Sequence, residues 1–414
     1  MNESRQEKHF DLVVVGGGAA GFFGAIMAAE ANPHLSVIIV EKTTKLLSKV
    51  KVSGGGRCNI THQCFEPTPL SKHYPRGSKE LKSLFRKFQA KDMVAWLESK
   101  NVQLKTEDDG RIFPASNNSQ TIIHCFLQEA ERHQIKIKLQ AEVKEIIPCE
   151  GEYSVELTSG KIFGKKILIA TGGYPSVESY HWLKVFHPII NPIPSLFTFN
   201  DSGKNFKDLM GVSVMQAEVK IAGTKYSEVG PLLITHWGLS GPAVIKLSAW
   251  AAEYLHEKKY EFTALVNWTG TVGEEGIRKD LKSLNTYQGK QKIVSNPLYK
   301  IPLRLWQRLC ALSEVDQTIT WAELPRKNMN RLVESLIRCP FEIKGKTTFK
   351  EEFVTCGGVD LKSINLETME SKQIKGIYFA GEVLNIDGET GGFNFQSAWT
   401  TAYVAAKAVA DSLQ

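Results

Sequence analysis

Glycine carries the first chemical signal in this chain, because Gly16, Gly17 and Gly18, followed by Gly21, let backbone approach a ligand that side chains would hold away. Gly16, Gly18 and Gly21 fit the pattern Gly-x-Gly-x-x-Gly directly behind a β-branched run at 11–15, DLVVV. In that pattern the first glycine makes the tight turn, the second admits a pyrophosphate and the third lets a helix lie close on a strand. A helix expected over 19–31 aims its N-terminal amides and positive dipole end at the phosphates. A second apolar strand at 36–40 ends at Glu41, 20 residues beyond Gly21. A carboxylate there accepts hydrogen bonds from a ribose diol and repels a 2′-phosphate, so the pattern predicts FAD or NAD and excludes NADP at this position.

Three more glycine-rich segments decide between the two dinucleotides. In 53–59 (SGGGRCN), Gly54, Gly55 and Gly56 clear side chains from one wall while Arg57 and Asn59 supply donors. At 166–173 (KILIATGG) an apolar strand runs into Thr171, Gly172 and Gly173. From 376 to 403 a strand (GIYFAGE) ends at Gly381 and Glu382, a turn carries Gly388, Gly391 and Gly392, and a helix is expected to begin near Phe395. A helix N-terminus aimed at the pyrimidine edge of an isoalloxazine favours the anionic reduced flavin. An NAD dehydrogenase has no need of such a returning C-terminal segment, so the expected cofactor is FAD. No second Gly-x-Gly-x-x-Gly follows a strand beyond Glu41, and a dedicated NAD(P)H domain is not expected.

A flavin performs redox chemistry itself and demands few catalytic side chains. Three residues are candidates. Arg57 suits an anion or carbonyl oxygen near the flavin, or an FAD phosphate. His236, in the loop THWGLSGP, suits proton transfer because an unperturbed imidazole titrates near ~6.5, although backbone more often satisfies a loop histidine. Cys58 has no CxxC partner and reads as a packing residue near the cofactor rather than a redox dithiol.

The elements that position these residues need more than one domain. A chain of 414 residues suggests two or three, and its 42% apolar and 23% charged content is that of a globular protein. The net charge of +7 comes from scattered lysines and arginines, so a nucleic-acid partner is not expected and an anionic small molecule is. The seven cysteines show no metal-ligand spacing; no metal is expected, and they read as reduced thiols of a cytoplasmic protein. An uncharged stretch at 12–29 behind Arg5 and Lys8 imitates a signal or membrane anchor, but its glycines weaken a spanning helix, and neither is expected. Pro188, Pro192 and Pro194 suggest an extended linker into an insertion. Within the insertion, 213–221 and 260–267 alternate like strands around a loop at 235–242, and 274–336 turns helical with breaks at Pro297, Pro302 and Pro325.

The chain resembles the bacterial BaiN/RdsA-type NAD(P)/FAD-dependent oxidoreductases, also labelled the aminoacetone oxidase family, within the two-dinucleotide-binding, glutathione-reductase-like flavoproteins. The resemblance rests on VVVGGGAAG (13–21), KVSGGGRCNITH (51–62), GRIFPASNNSQT (110–121), ATGGYP (170–175), THWGLSGP (235–242), TCGGV (355–359), TMESK (368–372) and AGEVLNIDGETGGFNFQSAW (380–399). It spans nearly the whole chain except about 271–330. It implies an α/β fold: a three-layer Rossmann-type FAD domain with a parallel sheet (1–190 and 351–414), an inserted β-barrel-like domain (191–270 and 331–350) and a small helical domain (271–330). It also implies that FAD contacts Gly16, Gly18, Ala19, Ala20, Gly21, Glu41, Lys42, Gly55, Arg57, Cys58, Val143, Thr171, Gly172, Gly381, Glu382, Gly392, Phe393 and Asn394. The implied activity is reduction of an activated C=C bond of a small organic substrate, with NAD(P)H as a transient donor. The alternative is oxidation of an aminoacetone-like amine by oxygen, and an RNA-linked or non-catalytic flavoprotein is a further reading.

Overall fold

The computed structural model describes residues 8–184, 186–203, 205–347 and 354–414. They form two compact units, Met1–Ser195 with Lys350–Gln414, and Leu196–Phe349.

The first unit is built on a nine-stranded sheet whose central strands are parallel. Strand His9–Val15 pairs in parallel with Val37–Val40 on one side and with Gly160–Ile169 on the other. Gly160–Ile169 in turn pairs in parallel with Ile377–Phe379. Leu12, Val13, Val14, Ile39, Ile167, Leu168 and Phe379 are all buried, as a sheet covered on both faces requires. The helix Ala19–Ala31 lies against Leu168, and the C-terminal helix Phe393–Asp411 lies beside it. Gly24 permits this: a Cβ there would come within 2.6 Å of Leu168 Cδ2 and 3.6 Å of the Ala402 methyl. The C-terminal helix begins two residues before the expected Phe395, because Gly392 takes a left-handed conformation, φ 93°, and starts the first turn itself.

The expected linker at Pro188 to Pro194 is instead a strand. Ile189–Ser195 pairs antiparallel with Val354–Val359. The register slips between Ile190 and Ile193, and in a two-stranded sheet prolines sit where no ladder N–H is needed.

The second unit is a closed barrel of six strands, Thr198–Asp201, Gly238–Ser240, Ser227–Ile234, Ser213–Ile221, Glu261–Asn267 and Cys339–Thr347. Three helices, Glu274–Tyr287, Leu303–Leu312 and Arg326–Ile337, bury one stripe each. Ile277, Leu281, Trp306, Leu309, Val333 and Leu336 join Val219, Val266 and Phe341 in one continuous apolar cluster, so barrel and helices share a core. Among the described residues, no helix is long and apolar enough to cross a membrane.

Candidate functional site

The site is assembled at the C-terminal ends of the parallel strands, where open α/β sheets bind ligands. Gly16 leaves its strand at φ 114° and its Cα faces the carbonyl of Ala170, so a Cβ would sit 2.4 Å from that oxygen. Thr171 and Gly172 thus lie beside the first turn. Gly21 faces the Gly16 carbonyl so closely that a Cβ would stand 1.9 Å from its oxygen. Gly381 is set against Ala20, 2.8 Å from a would-be Cβ to the alanine methyl.

The Glu41 carboxylate spans the turn from the next strand. Its Oε2 accepts the Gly17 N–H at 2.9 Å and its Oε1 accepts the Thr43 N–H at 2.8 Å. The Glu41 carbonyl also accepts the Ala141 N–H at 2.9 Å, which brings the chain leading into Val143 alongside. The exposed Lys42 ammonium lies 5.3 Å over the ring of Tyr174.

A second group gathers near the start of the C-terminal helix. Gly392 abuts the Thr61 backbone, with a would-be Cβ 2.7 Å from the Thr61 carbonyl carbon. The Asn59 amide can accept the Gly392 N–H at 3.0 Å and donate to Thr61 O at 3.1 Å. Phe393 stacks with both His62 and His73, centroids 4.9 and 4.1 Å away, and the two imidazoles lie 6.0 Å from each other. Asn394 clamps the preceding turn, accepting the Gly388 N–H and donating to the Gly388 carbonyl, both at 2.8 Å. Glu382 accepts the Thr355 N–H at 2.9 Å and pairs with Lys49 at 2.6 Å.

Whether these residues fit FAD can be tested on the cradle itself. Gly18, Gly55 and Gly172 each face open space, with nothing within 4 Å of the position a Cβ would occupy. The helix Ala19–Ala31 starts at Gly18 with no side-chain cap. The four N–H groups of its opening turn therefore have no partner within the helix, and a pyrophosphate satisfies such donors. The C-terminal helix likewise starts at Gly392 with no side-chain cap. Open glycines, uncapped helix starts and the Glu41 carboxylate suit FAD.

The three candidate catalytic side chains are in different settings. Arg57 donates to Glu107 Oε1 at 2.5 Å and its guanidinium lies 4.1 Å over the Phe113 ring, so its plane is fixed. Cys58 is fully buried at φ 63°, and burial pushes its thiol up to about 12, which leaves it protonated at neutral pH. His236 belongs to the second unit, on the turn between Ser227–Ile234 and Gly238–Ser240, exposed and edge-on to Trp237 at 4.1 Å.

Sequence reading did not find the network beneath the turn that precedes the C-terminal helix. Glu389 meets His73 Nδ1 at 3.1 Å, and the Tyr74 hydroxyl donates to the Phe393 carbonyl at 2.6 Å. Asp387, wholly buried, meets Arg76 and Ser195. These partners come from distant segments that carry no shared motif.

A parallel sheet with a side-chain-free dinucleotide cradle at its strand ends, continued by a returning glycine-rich C-terminal segment, defines an FAD-dependent flavoprotein oxidoreductase. Residues 10–408 match the HI0933-like protein Rossmann domain family, and the chain belongs to that family. Among its relatives, the ribosomal RNA dihydrouridine synthase of Escherichia coli is 28% identical over 97% of this chain and 98% of its own length. The 3-dehydro-bile acid delta(4,6)-reductase of Clostridium scindens is 24% identical over 96% of this chain and 98% of its own. Among solved structures, a 3-ketosteroid delta1-dehydrogenase from Sterolibacterium denitrificans shares the fold at 12% identity, with a TM-score of 0.54 over 98% of this chain and 100% of that one.

Proposed function

We propose that this chain is an FAD-dependent reductase of a carbon–carbon double bond conjugated to a carbonyl, with the uracil ring of RNA as its substrate. The observation that carries this reading is a bond common to two relatives. A 3-dehydro-bile acid delta(4,6)-reductase saturates double bonds conjugated to a ring ketone, and making dihydrouridine saturates the uracil bond conjugated to its C4 carbonyl. Both relatives align with at least 96% of this chain. RNA is favoured over a steroid because a second ribosomal RNA dihydrouridine synthase, from Haemophilus influenzae, is 27% identical over 97% of the chain. This replaces the expectation of no nucleic-acid partner, which rested on scattered charge.

Bound FAD supplies the two-electron redox chemistry. The chain's own part is to hold and orient. The backbone N–H groups from Gly18 to Gly21 would hold the pyrophosphate and Glu41 the ribose diol. The turn at Gly381 and Glu382 and the start of the C-terminal helix, Gly392 to Asn394, would hold the flavin end, with Gly55, Val143, Thr171 and Gly172 lining the path, while Cys58, fully buried, packs behind it. Arg57, its plane set by Glu107 and Phe113, donates to a carbonyl oxygen, and polarising that oxygen is what activates a conjugated double bond. Cys58 keeps its proton and packs. His236, exposed in the second unit, stays the candidate for proton transfer that its residue type suggested.

Incubating the holoprotein anaerobically with NADH or NADPH and uridine-containing RNA, then digesting and weighing the nucleosides, tests the reading. Dihydrouridine is the expected product. Unchanged uridine here, with turnover of an amine in a parallel aerobic assay, would replace the reductase by an oxidase.

A further inference from the structure

The positive charge of this protein is concentrated in the second unit. Residues 196–349 hold 21 lysines and arginines against 15 aspartates and glutamates, a net +6, whereas the rest of the chain holds 30 against 29. Scattered along the sequence, these charges formed no run. On the helix Glu274–Tyr287, which carries three cations and three acids, Lys279 and Lys282 share one exposed side with Glu275.

That helix buries Ile277 and Leu281. Its opposite side carries Lys279, Lys282, Ser283, Thr286 and Tyr287, at helical spacings of three and four, and Lys290 follows just past its end. All six are exposed, and Tyr287 is 83% exposed, the most of any large apolar side chain among the described residues. In the first turn of the same helix the charges are paired, with Glu274 meeting Arg278 at 2.8 Å and Arg338 at 2.8 Å. Two acids border the stripe: Glu275, exposed one turn before Lys279, and Asp280, which accepts the Tyr299 hydroxyl at 2.9 Å. Among the described residues, no hydrogen bond or ion pair engages the ammonium groups of Lys279, Lys282 or Lys290.

We infer that this face docks single-stranded RNA, resting on the reading above that RNA is the substrate. Unpaired lysines attract the phosphate backbone, and a protruding aromatic ring offers a π face on which an unstacked base can lie. From Lys279 to Tyr287 the helix advances about 12 Å at ~1.5 Å per residue, room for a strand of two or three nucleotides. The face contains none of the residues assigned above to the flavin cradle or to proton transfer.

The test is fluorescence anisotropy of FAD-loaded full-length protein with a labelled oligouridylate, across a salt series. For K279E/K282E/K290E the expected result is at least tenfold weaker binding, with a log–log salt slope shallower by about 2, since each lost contact to a single strand removes ~0.7. Y287A is expected to weaken binding severalfold at an unchanged slope, which separates stacking from charge. Both variants are expected to keep the wild-type melting temperature and the wild-type rate on a small conjugated ketone. Wild-type affinity and slope in both variants, or a wild-type protein that binds anionic vesicles and not RNA, would overturn the surface. RNA that binds through this face without forming dihydrouridine would overturn the substrate reading and leave the surface standing.

Discussion

Arg76 and Asp387 lie 311 residues apart and meet in a two-pronged ion pair: Arg76 Nε donates to Asp387 Oδ1 at 2.6 Å and a second guanidinium N–H donates to Oδ2. The Ser195 hydroxyl donates to the same Oδ2 at 2.8 Å. The pair fixes the middle of the turn that leads into the C-terminal helix, while His73 and Asn394 hold its later part. A turn so pinned keeps the start of that helix, where the flavin end is proposed to lie, in one place.

Removing one partner of a buried ion pair leaves a charge without compensation, which costs ~3–5 kcal/mol. D387A is therefore expected to lower unfolding free energy by that amount and to release FAD faster. Denaturant titration and flavin fluorescence check it. An unchanged midpoint would mean the turn is held by its other contacts.

Two glycines of one motif are expected to fail differently. G21A drives a methyl into the Gly16 carbonyl and should destabilise the apoprotein. G18V meets only open space in the protein, so the apoprotein should melt normally while FAD affinity drops by tenfold or more, ~1.4 kcal/mol. Equal loss of stability in both would show that Gly18 serves the fold and not a phosphate.

Much of this cradle was legible from sequence, because Gly16 to Gly21, the strand ending at Val40 and the carboxylate of Glu41 are local and their spacing is dictated by one turn. The helix Ala19–Ala31 has the expected bounds for the same reason. Ile189–Ser195 was missed as a strand because its partner, Val354–Val359, lies across an entire second unit and its prolines speak for a linker. Arg76, His73, Asp387 and Glu389 were missed because long-range charge pairs leave no periodic trace. The lysine face of Glu274–Tyr287 was invisible as a charge run and appears only once the helix winds it onto one side.

Cys58 is expected to be chemically silent. With its thiol pushed up to about 12 by burial, iodoacetamide at pH 8 should not label it in the native protein. C58S should retain FAD and most turnover. Lost turnover with flavin still bound would return Cys58 to the catalytic machinery.

His187 predicts a pH dependence of stability. It is 3% exposed, and burial drives its imidazole down to about 4 from the ordinary ~6.5. Neither ring nitrogen has a hydrogen-bond partner among the described residues, and the ring lies edge-on to Phe379 at 4.8 Å. Between those two values the unfolded chain binds the proton that the folded chain refuses, so stability is whole above pH ~6.5 and falls as pH drops toward 4, by at most about 3 kcal/mol. H187F should flatten the melting temperature over that window relative to wild type. Parallel curves would refute a buried neutral imidazole.

The FAD-loaded chain is expected to reduce a double bond conjugated to a carbonyl. The most direct test is anaerobic stopped-flow absorbance: the flavin is bleached with NAD(P)H and then mixed with uridine-containing RNA, in parallel with the same RNA already converted to dihydrouridine. Return of the oxidised flavin spectrum with the first RNA, and none with the second, is the predicted result. A flavin that stays bleached with both and regains its colour only when oxygen is admitted would contradict it.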